Sequence, residues 1–238
     1  MTLILDYEAG NLASVKRACA HVGMTAEYCA DPDQLRRADR VIFPGVGAAG
    51  SAMHSLRARG LDEALREVIN GGTPVLGICL GMQVSLTHSE ENDTATLDLI
   101  PGVVRRFAFD QPDLKVPHMG WNEALATKES PLFQPRERYY FVHSFAIDTC
   151  DPKWAAAVSD YGGQRFTCAV ADGRRAACQF HPEKSGKQGL ALLRRFVSLA
   201  RSTQANLGSV VSGSTTLAPR IIAALDVRTN DQGDLVVT

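Results

Sequence analysis

The run Pro74-Val75-Leu76-Gly77-Ile78-Cys79-Leu80-Gly81-Met82-Gln83 constrains the fold of this chain more than any other segment. Its first half is an apolar stretch of strand length. Gly77 and Gly81, one on each side of Cys79, give the clearance that a sharp strand-to-helix turn needs. Such a turn holds its central residue in strained geometry and projects it above the sheet edge. At the start of the helix that follows, unpaired N–H groups favour the thiolate, the nucleophilic form of cysteine. Cys79 is therefore a candidate nucleophile, weighed against a buried structural cysteine in a Gly-interrupted strand.

The surrounding pattern says what kind of sheet this strand joins. Short apolar stretches over 3–6, 25–28, 40–43 and 75–79 alternate with helical periodicity over 12–21, 51–59 and 61–70, which predicts α/β architecture with a parallel sheet. Gly23 and Gly71 stand where a left-handed residue ends a helix, and Pro44 and Pro74 mark strand ends. From residue 97 the rhythm becomes β-rich, with strands predicted over 103–109, 140–147, 155–159, 167–171 and 176–180, and one amphipathic helix over 186–200 closes the domain. The expected globular domain is 1–201. Residues 202–219 carry no charge between Thr203 and Ala218 and read as a flexible linker, after which 221–227 reads as a fresh buried strand.

Composition removes several classes of function. With 25 Lys+Arg against 26 Asp+Glu, the net charge is −1, and the chain has no basic patch for nucleic acid or anionic lipid. Its longest apolar run, residues 75–84, is about half of the roughly 20 residues that a membrane-spanning helix needs. The start has no signal-peptide pattern, so the expected location is the cytoplasm. The six cysteines form no Cys-x-x-Cys pair, so reduced thiols and no metal are expected.

A nucleophilic thiol needs a base. His181, in Gln179-Phe180-His181-Pro182-Glu183-Lys184, has Glu183 two residues on, and in an extended segment these point to one side. Glu183 would hold one imidazole nitrogen while the other faces Cys79, the nucleophile–base–orienter arrangement. Phe43-Pro44-Gly45-Val46-Gly47 follows a strand of the same sheet and would aim a backbone N–H inward, while Leu80 N–H supplies a second oxyanion donor. The bland alternative, a phosphate-gripping loop, lacks the Gly-Lys-Ser/Thr that would complete it.

These residues resemble the class I triad glutamine amidotransferases. Pro44-Gly45-Val46-Gly47, residues 77–83, Pro117-His118-Met119-Gly120-Trp121-Asn122, Tyr140-Phe141-Val142-His143-Ser144 and residues 180–185 match, in order, the family of imidazole glycerol phosphate synthase glutaminases. The resemblance implies a three-layer, flavodoxin-like domain with a central, mostly parallel sheet and no cofactor. It also implies a Cys79–His181–Glu183 triad, oxyanion donors at Gly45, Val46 and Leu80, and a glutamine pocket that includes Gln83, Glu91, His143 and Ser144. A cyclase partner would receive the ammonia, with Asn11, His118, Trp121 and Asn122 toward it. Residues 220–238 resemble the opening of that cyclase, a (βα)8 barrel, cut short after one strand, and residues 202–238 are expected to be loosely ordered. Simpler readings stand beside two of these: Trp121 as packing and His143 as a satisfied core histidine. A glutaminase of another synthase, a Cys-dependent hydrolase, or a catalytically silent regulatory module remain the alternatives.

Overall fold

The computed structural model describes residues 1–111, 113–201, 227–229 and 235–237. Strands β1 (Thr2–Leu5), β2 (Ala26–Cys29), β3 (Arg40–Gly45) and β4 (Val75–Cys79) alternate with helices α1 (Leu12–His21), α2 (Pro32–Arg36), α3 (Ala49–Ala58) and α4 (Leu61–Asn70). They lie side by side in the order β2-β1-β3-β4, all parallel, and β13 (Arg175–Cys178) continues the parallel set at β4. Because successive side chains leave a strand on opposite faces, each central strand feeds two cores. Ile4, Ile42 and Leu76 pack with Val15 and Ala18 of α1 and with Leu192 and Phe196 of α6 (Gly186–Arg201). Leu3, Leu5, Val41 and Phe43 pack with α2, α3 and α4. The result is the expected three-layer α/β architecture.

Beyond α5 (Leu80–Gln83) the chain is β-rich, with β5 (His88–Ser89), β6 (Thr94–Ala95), β7 (Gly102–Arg106), β8 (His118–Ala126), β9 (Arg136–His143), β10 (Phe145–Cys150), β11 (Ala155–Tyr161) and β12 (Gln164–Asp172). β12 pairs antiparallel with β13, and β10 lies between β12 and β7. The apolar stretch expected as one strand over 140–147 is two, because β9 pairs with β8 while β10, beyond Ser144, pairs with β7 and β12. β8 and α2 are additions to the sequence expectation. Asp31, whose carboxylate accepts from Asp33 and Gln34 N–H, and Pro32 start the short α2.

Two punctuation marks moved. The left-handed residue after α4 is Gly72 (φ 80°), while Gly71 keeps φ −70°, and β3 runs through Pro44 to Gly45. All of the 202–219 linker expectation and all but the last residue of the 221–227 strand expectation lie outside the described residues; Val227 opens a short strand, β14 (Val227–Thr229), paired antiparallel with β15 (Leu235–Val237). Among the described residues no helix is long and apolar enough to cross a membrane.

Candidate active site at the β4–α5 turn

Cys79 ends β4 with φ 54° and ψ −109°, a conformation unfavourable to a side chain. Close packing on both sides imposes it. A Cβ on Gly77 would stand 2.8 Å from the Ala177 Cβ, and one on Gly81 would collide with the Phe43 carbonyl. The helix behind is a single turn, so the macrodipole expected from the sequence shrinks to a few free N–H groups, Leu80 N–H among them.

His181 comes to Cys79 from the far side of β4, along β13. Its N–H donates to the Tyr140 carbonyl (2.9 Å), and its own carbonyl accepts from Ser185 Oγ (2.6 Å), which also accepts from Tyr140 N–H. His181 is extended, as expected, but Glu183 sits in a one-turn 3-10 helix, Pro182–Lys184, begun by the preset φ of Pro182. The carboxylate still reaches back: Glu183 Oε1 lies 2.7 Å from His181 Nδ1. Burial alone would push His181 down; Glu183 and Cys79 outweigh it and lift the imidazole from 6.5 to about 10. The ring therefore carries its second proton at neutral pH, held between the Glu183 carboxylate and the Cys79 sulfur.

The remaining candidates fall into two groups. Gly45 is in register with Cys79 across β3 and β4, so the 45–47 turn begins beside the nucleophile, and Gly47 (φ 96°) bends it. Glu91 accepts from Ala49 N–H (2.7 Å) at the first residue of α3, just beyond that turn. Glu90, its neighbour, accepts instead from Arg106 N–H. Gly45 and Leu80 thus flank Cys79, and Glu91 is tied to the helix that follows the 45–47 turn.

His143 and His118 are otherwise employed. His143 Nδ1 is 2.8 Å from the Phe145 carbonyl, which only accepts, so Nδ1 carries the proton and Nε2 accepts from His118 Nδ1 (2.9 Å). His118 Nε2 then accepts from Asn122 Nδ2 (3.2 Å). Both rings are neutral: burial, helped by His118 and His181, pushes His143 down to about 3, and burial pushes His118 down to about 4. Both ring nitrogens of His143 are thus engaged within the protein, and His118, 2% exposed, presents nothing at the surface. The Ser144 carbonyl accepts from Phe107 N–H. Asn11 caps α1 by accepting from Ser14 N–H (3.2 Å). Of the hexapeptide, Met119 and Trp121 are exposed, at 43% and 49%.

Gln83 donates to the Phe145 carbonyl and to Gln179 Oε1, both at 2.9 Å. Gln179 and Tyr7 are site residues that the sequence reading passed over. The Tyr7 hydroxyl is buried against Gly45 without a partner, and burial, with Cys79 adding, pushes it well above the usual tyrosine range. A lone amide in the apolar run 176–180 was the available signal for Gln179.

Residues 3–199 match the family glutamine amidotransferase class-I. The chain is 43% identical over 240 residues to the chloroplastic imidazole glycerol phosphate synthase hisHF of Arabidopsis thaliana, covering 99% of this chain and 40% of that protein. It is 47% identical over 212 residues to the imidazole glycerol phosphate synthase subunit HisH of Desulfovibrio desulfuricans, covering 86% of this chain and 97% of that one. A crystal structure of a glutamine amidotransferase shares the fold, with a TM-score of 0.66 at 19% identity over 84% of this chain and 98% of that one. The chain belongs to the class-I glutamine amidotransferases, in the group of the HisH subunits of imidazole glycerol phosphate synthase.

Proposed function

We propose that this chain is the glutaminase of an imidazole glycerol phosphate synthase. It hydrolyses glutamine to glutamate and ammonia and passes the ammonia to a cyclase partner, which makes imidazole glycerol phosphate and AICAR in histidine biosynthesis. The observation that carries this reading is a strained Cys79 beside an imidazole held by a buried carboxylate 2.7 Å away. Cys79 sulfur attacks the side-chain amide carbon, and the carbonyl electrons move to an oxygen facing the Gly45, Val46 and Leu80 N–H groups. His181 gives its proton to the departing nitrogen, ammonia leaves, and a glutamyl thioester remains. His181 then takes a proton from water, whose oxygen attacks the thioester and returns the electron pair to sulfur. Glu183 holds Nδ1 throughout.

Glu91 is the group placed to pair with the substrate ammonium, and Gln83, its N–H groups committed, offers its carbonyl oxygen. His143 and Ser144 shape the pocket wall. Asn11, Trp121 and Asn122 face the cyclase, and His118 supports that face from beneath. Residues 202–219 act as the linker and 220–238 as the opening of a cyclase part, a reading supported by the Arabidopsis match over 99% of the chain. The cytoplasm is the compartment that fits the sequence.

The deciding experiment measures glutamate release by the chain alone, then with a separately expressed cyclase and its ribotide ligand. Strong activation by the pair is the expected result. Activity indifferent to the cyclase would point to another synthase or a simple hydrolase. No release under any condition, together with no effect of Cys79→Ala, would favour a silent regulatory module.

A further inference from the structure

The Cys79 sulfur has a neighbour outside the triad. Gln179, fully buried at the end of β13, holds a side-chain atom 3.6 Å from Sγ, and the bonds behind it fix which atom that is. The Phe145 carbonyl only accepts, so the Gln83 atom 2.9 Å from it is nitrogen. That nitrogen lies 2.9 Å from the second amide atom of Gln179, which must therefore be oxygen. The Gln179 nitrogen is left to face the sulfur. The thiol proton has its own outlet toward the Val142 carbonyl at 3.9 Å, so the amide meets sulfur lone pairs. With α5 a single turn, little helix dipole reaches the thiolate, and a fixed N–H donor supplies what that dipole would have given.

We propose that Gln179 is a catalytic residue that donates a hydrogen bond to the Cys79 thiolate, with Gln83 fixing the direction of its amide. The proposal rests on Cys79 being the nucleophile of the glutaminase reaction. As the S–C bond forms, the charge leaves sulfur and the N–H···S hydrogen bond weakens. As the thioester breaks, the electron pair returns to sulfur and the same N–H receives it. Gln179 thus acts at both ends of the covalent intermediate, on the atom that His181 cannot hold once it has passed its proton on.

The test uses the whole chain with Gln179→Leu, which removes the donor, and Gln179→Glu, which keeps the bond from Gln83 but turns an acceptor oxygen to the sulfur. The readout is the rate of Cys79 alkylation by iodoacetamide from pH 6 to 9, with the site identified by peptide mass spectrometry and the fold checked by circular dichroism. Alkylation at pH 7 is expected to slow about tenfold in the Leu variant and at least as much in the Glu variant, with both profiles displaced to higher pH. Folded variants that alkylate like the parent overturn the proposal, whatever their glutamate release. A parent silent on glutamine in every setting instead removes the glutaminase reading and leaves the alkylation comparison standing. The unsubstituted chain gives a second measurement that needs no variant to fold. The Gln179 side-chain amide protons, followed by NMR, are expected to shift over the pH range in which alkylation rises, and amide signals that stay fixed there overturn the proposal.

Discussion

His181 Nδ1 lies 2.7 Å from Glu183 Oε1, and both side chains are only 3% exposed. In so dry a place the carboxylate acts on the imidazole nearly unscreened, which is why the pair overrides the burial that would otherwise drive His181 neutral. Glu183→Gln keeps the size and removes that charge. Glutamate release is expected to fall about 10²- to 10⁴-fold, the range seen when a triad orienter is neutralised. The His181 ionisation, followed by NMR, should drop from about 10, since burial then acts with only Cys79 opposing it. A variant that keeps activity within threefold of the parent would remove Glu183 from the mechanism.

Gly45 and Tyr7 pack against each other where β3 ends beside Cys79. A methyl on Gly45 would collide with the Tyr7 hydroxyl and stand 3.0 Å from the Leu80 Cβ. Gly45→Ala is expected to cost about 1–3 kcal/mol in urea unfolding, as overpacking does. Tyr7→Phe deletes a buried hydroxyl that has no partner, so alone it should cost little or stabilise. The double variant should then be more stable than the sum of the singles by at least about 0.5 kcal/mol. Strict additivity would mean that the hydroxyl does not set the need for glycine.

The proposed triad was legible because its signals are local. Gly77 and Gly81 mark the turn, and His181-Pro182-Glu183 carries base and orienter within three residues. What escaped depends on distant partners. β8 was hidden because Met119 and Trp121 face outward and Gly120 takes φ 136°, so its strand character appears only through pairing with β9. Gln179 gains its orientation from Gln83, 96 positions earlier, and no window of sequence contains both. The tautomer of His143 likewise follows from the Phe145 carbonyl and from His118, 25 positions earlier, which no local pattern reveals.

Trp121 and His118 separate two ways in which a β8 residue can matter. Met119 and Trp121 leave the strand on one face and stay exposed, while His118 points into the core. Trp121→Ala should weaken capture of the cyclase about 10- to 100-fold in a titration while shifting unfolding by less than about 0.5 kcal/mol. His118→Ala should do the reverse, lowering stability because it strands the His143 acceptor. If Trp121→Ala leaves cyclase affinity unchanged, that face is not the docking surface.

The three buried histidines pull stability in opposite directions with pH. His143 and His118 titrate at about 3 and about 4 in the folded chain and near 6.5 unfolded. Between these values the unfolded chain binds more protons. Their contribution is therefore complete above pH 6.5 and is lost as pH falls, by at most about 1.4 kcal/mol per pH unit for each site. His181, lifted to about 10, has the other sign: its contribution is complete below pH 6.5 and is lost as pH rises toward 10. Urea unfolding between pH 5 and 6.5, above the range of ordinary carboxylates, isolates the acid limb. His143→Gln is expected to flatten that limb and leave the slope between pH 7 and 9 parallel to the parent. Parallel acid limbs would mean that the relay takes up its proton without unfolding, and that His143 is not held neutral by the core.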